Sequence, residues 1–443
     1  MSQNNINKEY NFAKSPGSIT KLANQIRNGE ASPLQLVKNY IKRISVSDSS
    51  VNAWVSVDTQ GALETAEQLE EEASIGKIRG PLHGVPIGIK DIIDVAGWPT
   101  KCNSPTRSDI APANADAEIV SILKSKGAII LGKCHTTEFA YFNPSPACNP
   151  HNINHTPGGS SSGPAAAVAS GTVPGAIGTQ TIASVNRPAA YCGIGAFKPS
   201  TGTGANYGVT PLAPMFDTVG FYGWSVADAV ALFEATLPIS LKKQAQKNDQ
   251  SVRIVILEDT FFNQSNPEIL SAREIITKKL SFAGYDVVYL NSPISLEKLS
   301  QIQMLTAEFE LSRIHANLLD VPTEQVSEKL REAISRGGNF TENDYLLARN
   351  QMDKTRKSFF LDFNATDIFL IPTTPETAPE GLEWTGDPRF IAPWTALGGP
   401  IVSLPGGNDT SGMPIGFMLA GFPGDDIDFA KASCQLEESL INL

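Results

Sequence analysis

The sequence predicts an α/β protein built on a largely parallel or mixed sheet. Three observations carry this. Apolar runs of strand length at 53–57, 85–90 and 128–132 alternate with amphipathic stretches of helical length at 60–74 and 115–126. The segment 157–223 turns to Gly, Ser, Ala and Pro with almost no charge, a composition of closely packed backbone rather than of a linker. And 443 residues with 41% hydrophobic and 18% charged side chains can bury a large core, which excludes disorder, collagen and coiled coil.

Taken in order, residues 1–15 are polar and expected to form a flexible N-terminus. Ser18 to Leu22 opens an amphipathic helix that Gly29 ends. Ser32 then caps a second helix with Pro33 in its first turn and Leu34, Leu36, Val37, Tyr40, Ile41 and Ile44 at helical spacing. The three strand runs and two helices named above follow. Residues 253–363 hold a strand at 253–257, a helix near 267–283, a strand at 287–290 and then long charged helices. They are expected to form a helical covering region that supplies pocket walls. Strands return at 368–372, 400–405 and 416–420, and a helix over 427–441 closes the chain. No internal repeat divides it, so 1–443 reads as a single domain.

The charge balance narrows the partners. Against 35 Lys and Arg stand 46 Asp and Glu, a net charge of −11. Such a surface repels a phosphate backbone or an anionic membrane, so no nucleic acid and no membrane is expected. Cys102, Cys134, Cys148, Cys192 and Cys434 are scattered, odd in number and without a CxxC, and read as reduced thiols. No secretory leader and no stretch of 18 apolar residues occurs, so the expected location is cytoplasmic.

The most unusual segment is Thr156-Pro157-Gly158-Gly159-Ser160-Ser161-Ser162-Gly163, followed by an Ala-rich run. It lacks the lysine that a phosphate-binding loop needs, and alone it would be a turn capping a helix. His151 and His155 sit between prolines without a nearby carboxylate, so no metal is expected. His83, His135 and His315 give no Ser-His-Asp pattern, and Gly193-Ile194-Gly195 lacks the third glycine of a dinucleotide site. No cofactor is expected either.

Two flanking segments change the weight of the serine run. Upstream is Gly84-Val85-Pro86-Ile87-Gly88-Ile89-Lys90-Asp91; downstream is Gly178-Thr179-Gln180-Thr181-Ile182-Ala183-Ser184-Val185-Asn186-Arg187-Pro188-Ala189. With them the chain resembles the amidase signature family from Pro33 onward. The resemblance implies an α/β/α sandwich around a twisted, mixed central sheet. It implies Ser184 as nucleophile, Ser160 as a bridging serine on a cis peptide and Lys90 as base. The backbone at Thr181, Ile182 and Ala183 would meet the oxyanion, and Ala140 and Tyr141, with Phe139 and Phe142 beside them, would line the substrate.

The residue types suit that chemistry. A serine hydroxyl needs a base within hydrogen-bond reach, and a lysine can serve if an apolar setting keeps it neutral. Val85, Ile87 and Ile89 supply such a setting. A second serine can pass the proton, because a hydroxyl both donates and accepts. The implied activity is hydrolysis of a small-molecule carboxylic amide through an acyl-serine. Acyl transfer to an amine, or a partner-dependent role like that of a transamidosome amidase subunit, stays open, as does a homodimer. One departure stands out: the family has two glycines before the nucleophile where this chain has Ile182-Ala183. Either these side chains narrow the pocket, or they reshape the oxyanion donors, or both residues keep an ordinary backbone and their side chains fill core.

Overall fold

The computed structural model describes residues 10–238 and 252–442. Its frame is one mixed sheet of eleven strands in the order β1-β3-β2-β4-β6-β5-β10-β11-β9-β7-β8. The strands are β1 (Trp54–Val57), β2 (Pro86–Lys90), β3 (Ile129–Cys134), β4 (Gly175–Gln180), β5 (Gly195–Lys198), β6 (Thr218–Gly223), β7 (Arg253–Glu258), β8 (Asp286–Asn291), β9 (Asp367–Pro372), β10 (Ile401–Asn408) and β11 (Pro414–Ala420). β2 lies parallel to both β3 and β4, and β7 parallel to β8 and β9; the other pairings are antiparallel.

The helices in chain order are α1 (Ile19–Arg27), α2 (Pro33–Val51), α3 (Thr59–Ser74), α4 (Glu118–Ser125), α5 (Ser162–Ala169), α6 (Asn186–Cys192), α7 (Val226–Thr236), α8 (Pro267–Phe282), α9 (Leu296–Ile314), α10 (Glu328–Asn339), α11 (Glu342–Phe359), α12 (Ala392–Leu397) and α13 (Asp426–Ile441). The expected caps form: the Ser18 and Ser32 side chains accept from Lys21 N and Gln35 N, and Pro33 sits in the first turn of α2. Two separate apolar clusters flank the sheet. One joins β2, β7 and β9–β11 to α9 and α13; the other packs α2, α3 and α5 against its opposite side.

One expectation needs correction, and another gains detail. Of the flexible stretch set at 1–15, residues 1–9 lie outside the described residues, but the rest is tied down: Phe12 N donates to Pro150 O at 2.6 Å and Lys14 N to Ala169 O at 2.9 Å. The segment 157–223, read from composition as close-packed backbone, also contains β4, β5 and β6, the middle of the sheet. Small residues are required there. A Cβ on Gly178 would come within 2.7 Å of both Ser161 Oγ and the Tyr222 ring, and one on Gly163 within 2.4 Å of the Ala53 carbonyl oxygen. The covering region 253–363 supplies, besides α8–α11, the last two strands at one end of the sheet, β7 and the edge strand β8.

Candidate active site

Lys90 ends β2, between the two parallel neighbours that bury it completely. Its Nζ donates to Ser160 Oγ and to Thr179 Oγ1, each at 2.8 Å. Burial pushes the Lys90 pKa down to about 7, against the opposing attraction of Asp217 and a smaller one of Cys102. A lysine so placed is substantially neutral near pH 7 and can take a proton.

Ser160 precedes α5, and the Gly159–Ser160 peptide is cis. Arg187, fully enclosed, holds this turn through the Gly159 carbonyl, to which Nη2 donates at 2.8 Å and Nε at 3.3 Å. Ser162 Oγ donates to Gly158 O at 2.8 Å.

Ser184 lies on the turn that leaves β4 and enters α6. Gln180 shapes this turn, its Oε1 accepting from Val185 N at 2.8 Å and Asn186 N at 3.0 Å. The carbonyls of the turn are all engaged. Gln303 Nε2 donates to Thr181 O at 3.0 Å, Thr395 Oγ1 to Ile182 O at 2.7 Å and Arg187 N to Ala183 O at 3.0 Å. Ser184 O accepts from Ser161 N at 3.3 Å and from the Tyr222 hydroxyl at 3.1 Å. The N–H groups of Ile182, Ala183 and Ser184, by contrast, donate to no acceptor among the described residues. A turn with its acceptors tied back and its donors left open presents positive potential on one side, which suits a developing oxyanion.

Ser160 and Ser184 line one cavity together with Thr181, Ile182, Ala183, Ala140, Tyr141, Phe142, Arg187 and Leu212. All eight residues assigned from the resemblance therefore meet at one place, Lys90 through its bond to Ser160. Among the described residues the Ser160 and Ser184 hydroxyls are not hydrogen-bonded to each other; an unliganded serine site is often this loose. Phe139, also expected in the wall, is buried beside the cavity and does not line it. The cavity volume is ≈ 10 Å³, room for about one water.

Ile182 and Ala183 bear directly on that size. Neither adopts positive φ, so the turn needs no glycine at these positions and the donors keep an ordinary backbone. Both residues line the cavity, and both are buried members of the apolar core. Among the residues lining or flanking the cavity, Phe139 (46°) and Ala140 (60°) adopt positive φ, a left-handed pair just before Tyr141, which lines the cavity with Ser184.

Several participants were not assigned from sequence. Thr179 and Arg187 stand in the quoted nucleophile segment, so their signal was present. Thr395 stands in the C-terminal segment from Trp394 to Gly416 that also resembles the family, whereas Gln303 and Leu212 belong to distant segments whose signal is the fold. Asp217 accepts from Thr181 Oγ1 at 2.5 Å and lines a neighbouring cavity of ≈ 230 Å³ with Thr179 and Thr181; burial raises its pKa. The two histidines of the 151–155 loop have backbone partners: the His151 ring meets Cys192 O and the His155 ring meets Ala378 O.

Comparison with known proteins bears on the family and the fold. The model of the Amidase family aligns with residues 35–428. A glutamyl-tRNA(Gln) amidotransferase subunit from Rhodopirellula baltica is 30% identical, over 91% of this chain and 92% of that protein. A solved amidase structure superposes with a TM-score of 0.85 at 27% identity, covering 95% of this chain and 99% of the other. Native peptide amidase from Stenotrophomonas maltophilia, at 23% identity and a TM-score of 0.79 over 95% and 97% of the two chains, shares the fold. The chain belongs to the Amidase family and is an amide-hydrolysing enzyme.

Proposed function

We propose that the chain cleaves a carboxylic amide through an acyl-serine intermediate, with Ser184 as nucleophile, Ser160 as proton relay and Lys90 as base. Neutral Lys90 takes the Ser160 proton while Ser160 takes that of Ser184, and Ser184 Oγ attacks the amide carbon. The oxyanion is received by the open N–H groups of Ile182 to Ser184, each typically worth about 3 kcal/mol in such sites. The C–N bond breaks as the proton returns through Ser160 to the leaving nitrogen, and water repeats the sequence on the acyl-enzyme. The observation that carries this reading is the buried 2.8 Å contact between Lys90 and Ser160 at the wall of the cavity that holds Ser184. A fluorophosphonate probe followed by peptide mapping tests it. Adduct on Ser184 is the expected result; adduct on Ser161 or Ser162, or none in an active preparation, sinks the assignment.

A second reading has one observation in its favour, the 30% identity to an amidotransferase component. Under it the same acyl-serine chemistry releases ammonia to a partner protein. Purified chain that labels at Ser184 yet hydrolyses no free amide, and gains activity only with a partner, would favour it. Product partition with added amines separates hydrolysis from acyl transfer.

A further inference from the structure

Among the side chains lining the Ser184 cavity, Tyr141 is the largest that is fixed by polar contacts from another layer. Its hydroxyl donates to Glu308 Oε1 at 2.7 Å, and Glu308 comes from α9. Arg336, from α10, grips the same carboxylate with Nη2 on Oε1 at 2.8 Å and Nε on Oε2 at 3.2 Å; its Nη2 also reaches the Tyr141 hydroxyl at 3.3 Å. The phenol thus donates to the carboxylate and accepts from the guanidinium. Glu308 is buried, so the group that holds the ring is shielded from water.

The turn carrying Tyr141 is pinned by the same region. Ser327 N, just before α10, donates to Glu138 Oε2 at 3.0 Å, and Ser104 Oγ donates to Glu138 Oε1 at 2.9 Å. Between Glu138 and Tyr141 the chain passes through the left-handed pair at Phe139 and Ala140, a conformation that non-glycine residues hold only when their surroundings enforce it. Phe142 meets the Tyr141 ring edge-on at 4.9 Å. Of the remaining wall, Thr181, Ile182 and Ala183 belong to the turn that carries Ser184, whose backbone cannot retreat without moving that serine, Arg187 to the first turn of α6, and Leu212 to a loop shared with the neighbouring cavity of ≈ 230 Å³.

We propose that Tyr141, clamped by Glu308 and Arg336, sets the upper size of the acyl group at Ser184, so that the substrates are amides of short, unbranched acyl groups. Glu308 and Arg336 are positioning residues acting through the ring. The inference rests on the reading of Ser184 as nucleophile.

The test uses fluorophosphonates carrying methyl, butyl or octyl on phosphorus, since that substituent occupies the place of the acyl chain. Labelling rates at Ser184 are read by intact mass. Wild type should prefer methyl to octyl, and Tyr141→Ala should raise the octyl-to-methyl ratio by roughly tenfold or more, the scale on which pockets discriminate methylenes. Tyr141→Phe and Arg336→Gln, which keep the ring but loosen its hold, should shift the ratio the same way by a smaller factor. A structural role alone would change Tm and leave the ratio fixed. Should Glu308→Ala fail to fold, these two variants still decide the matter. Ser184 labelling with an octyl-to-methyl ratio unchanged in every variant, or a wild type indifferent to chain length, overturns this inference alone. No labelling of Ser184 by any probe overturns the nucleophile reading and this inference with it.

Discussion

The segment 157–223 and the segment 253–363 contribute to the same site by opposite means. The first has three charged residues, Arg187, Lys198 and Asp217, and is buried almost throughout up to Ser200 and again from Thr218, with a more exposed loop between. It sets atoms by backbone: the turn at Ser160, the end of β4, and glycines that no side chain could replace. The second is rich in charge and reaches the site through a few long polar side chains, Gln303 to the nucleophile turn and Glu308 to Tyr141. The difference teaches where precision is needed. Reacting atoms depend on close-packed backbone that moves little, whereas the fit of a substrate can be entrusted to side chains that a few substitutions would redirect.

If that division is right, the largest losses come from the first layer. Ser184→Ala should abolish turnover while Tm stays within roughly a few degrees, because a hydroxyl at a cavity wall adds little to the core. Lys90→Ala should cost several orders of magnitude in kcat, and Lys90→Arg should not restore it, since a guanidinium stays protonated. Steady-state kinetics with thermal melts check both. An active Lys90→Arg enzyme would leave the lysine a merely structural part.

The pH profile sharpens the same point. Neutral Lys90 is the working form and its pKa is pushed down to about 7, so kcat should rise through that pH and fall about tenfold per unit below it. Asp217 attracts the lysine's proton and holds that pKa up, so Asp217→Asn should move the acid limb to lower pH. Stability follows the same sign. The folded lysine binds its proton less tightly than the unfolded one, whose ordinary value is 10.5, so unfolding takes up a proton between the two. This contribution therefore strengthens as pH rises from about 7 toward 10.5. A kcat flat from pH 5 to 8 would remove Lys90 from the base role.

A smaller effect is expected at the departure from the family pattern. Changing Ile182-Ala183 to Gly-Gly removes the side chains of two residues that line the ≈ 10 Å³ cavity without demanding a new backbone, as neither residue sits at positive φ. Acceptance of bulkier acyl amides should widen, by about 1–3 kcal/mol for each methylene admitted. If kcat instead rises on every amide alike, the side chains had been disturbing the oxyanion donors.

What the sequence made legible follows this division too. The outer strands and the helices were readable because each carries its own period: α2 announces itself with Ser32, Pro33 and the buried Val37, Tyr40 and Ile44. β4, β5 and β6 lacked such a signal. Buried on both faces and interrupted by Gly175, Gly178, Gly195, Gly220 and Gly223, they show neither alternation nor a continuous β-branched run, and tertiary packing makes them strands. Lys90, Ser160 and Ser184 were legible through their segments. The partners that hold the site from afar were not: nothing near Gln303 in the chain distinguishes it from other glutamines on a charged helix, and its role exists only once α9 lies across the turn at Thr181.

Gln303 also offers the finest test of the comparison. It is fully buried, and its two ends are unequal: Nε2 donates to Thr181 O at 3.0 Å, while Oε1 has no partner among the described residues. Gln303→Met keeps a similar shape and deletes both atoms. Losing the donor strands the Thr181 carbonyl, which costs about 1–3 kcal/mol, but the variant also relieves an acceptor that was already unpaired. The two changes oppose each other, so Tm should move by only a few degrees. The turn at Thr181 to Ser184, however, loses its tether from α9, and kcat should fall several-fold with little change in KM, since the tether orients donors used in the transition state. Kinetics and a melt on the same preparation decide it. A kcat equal to wild type would mean that the covering layer shapes the substrate wall and leaves the reacting turn entirely to the backbone of its own layer; a large loss would mean that the two layers share the placement of reacting atoms, and the division drawn here would not stand.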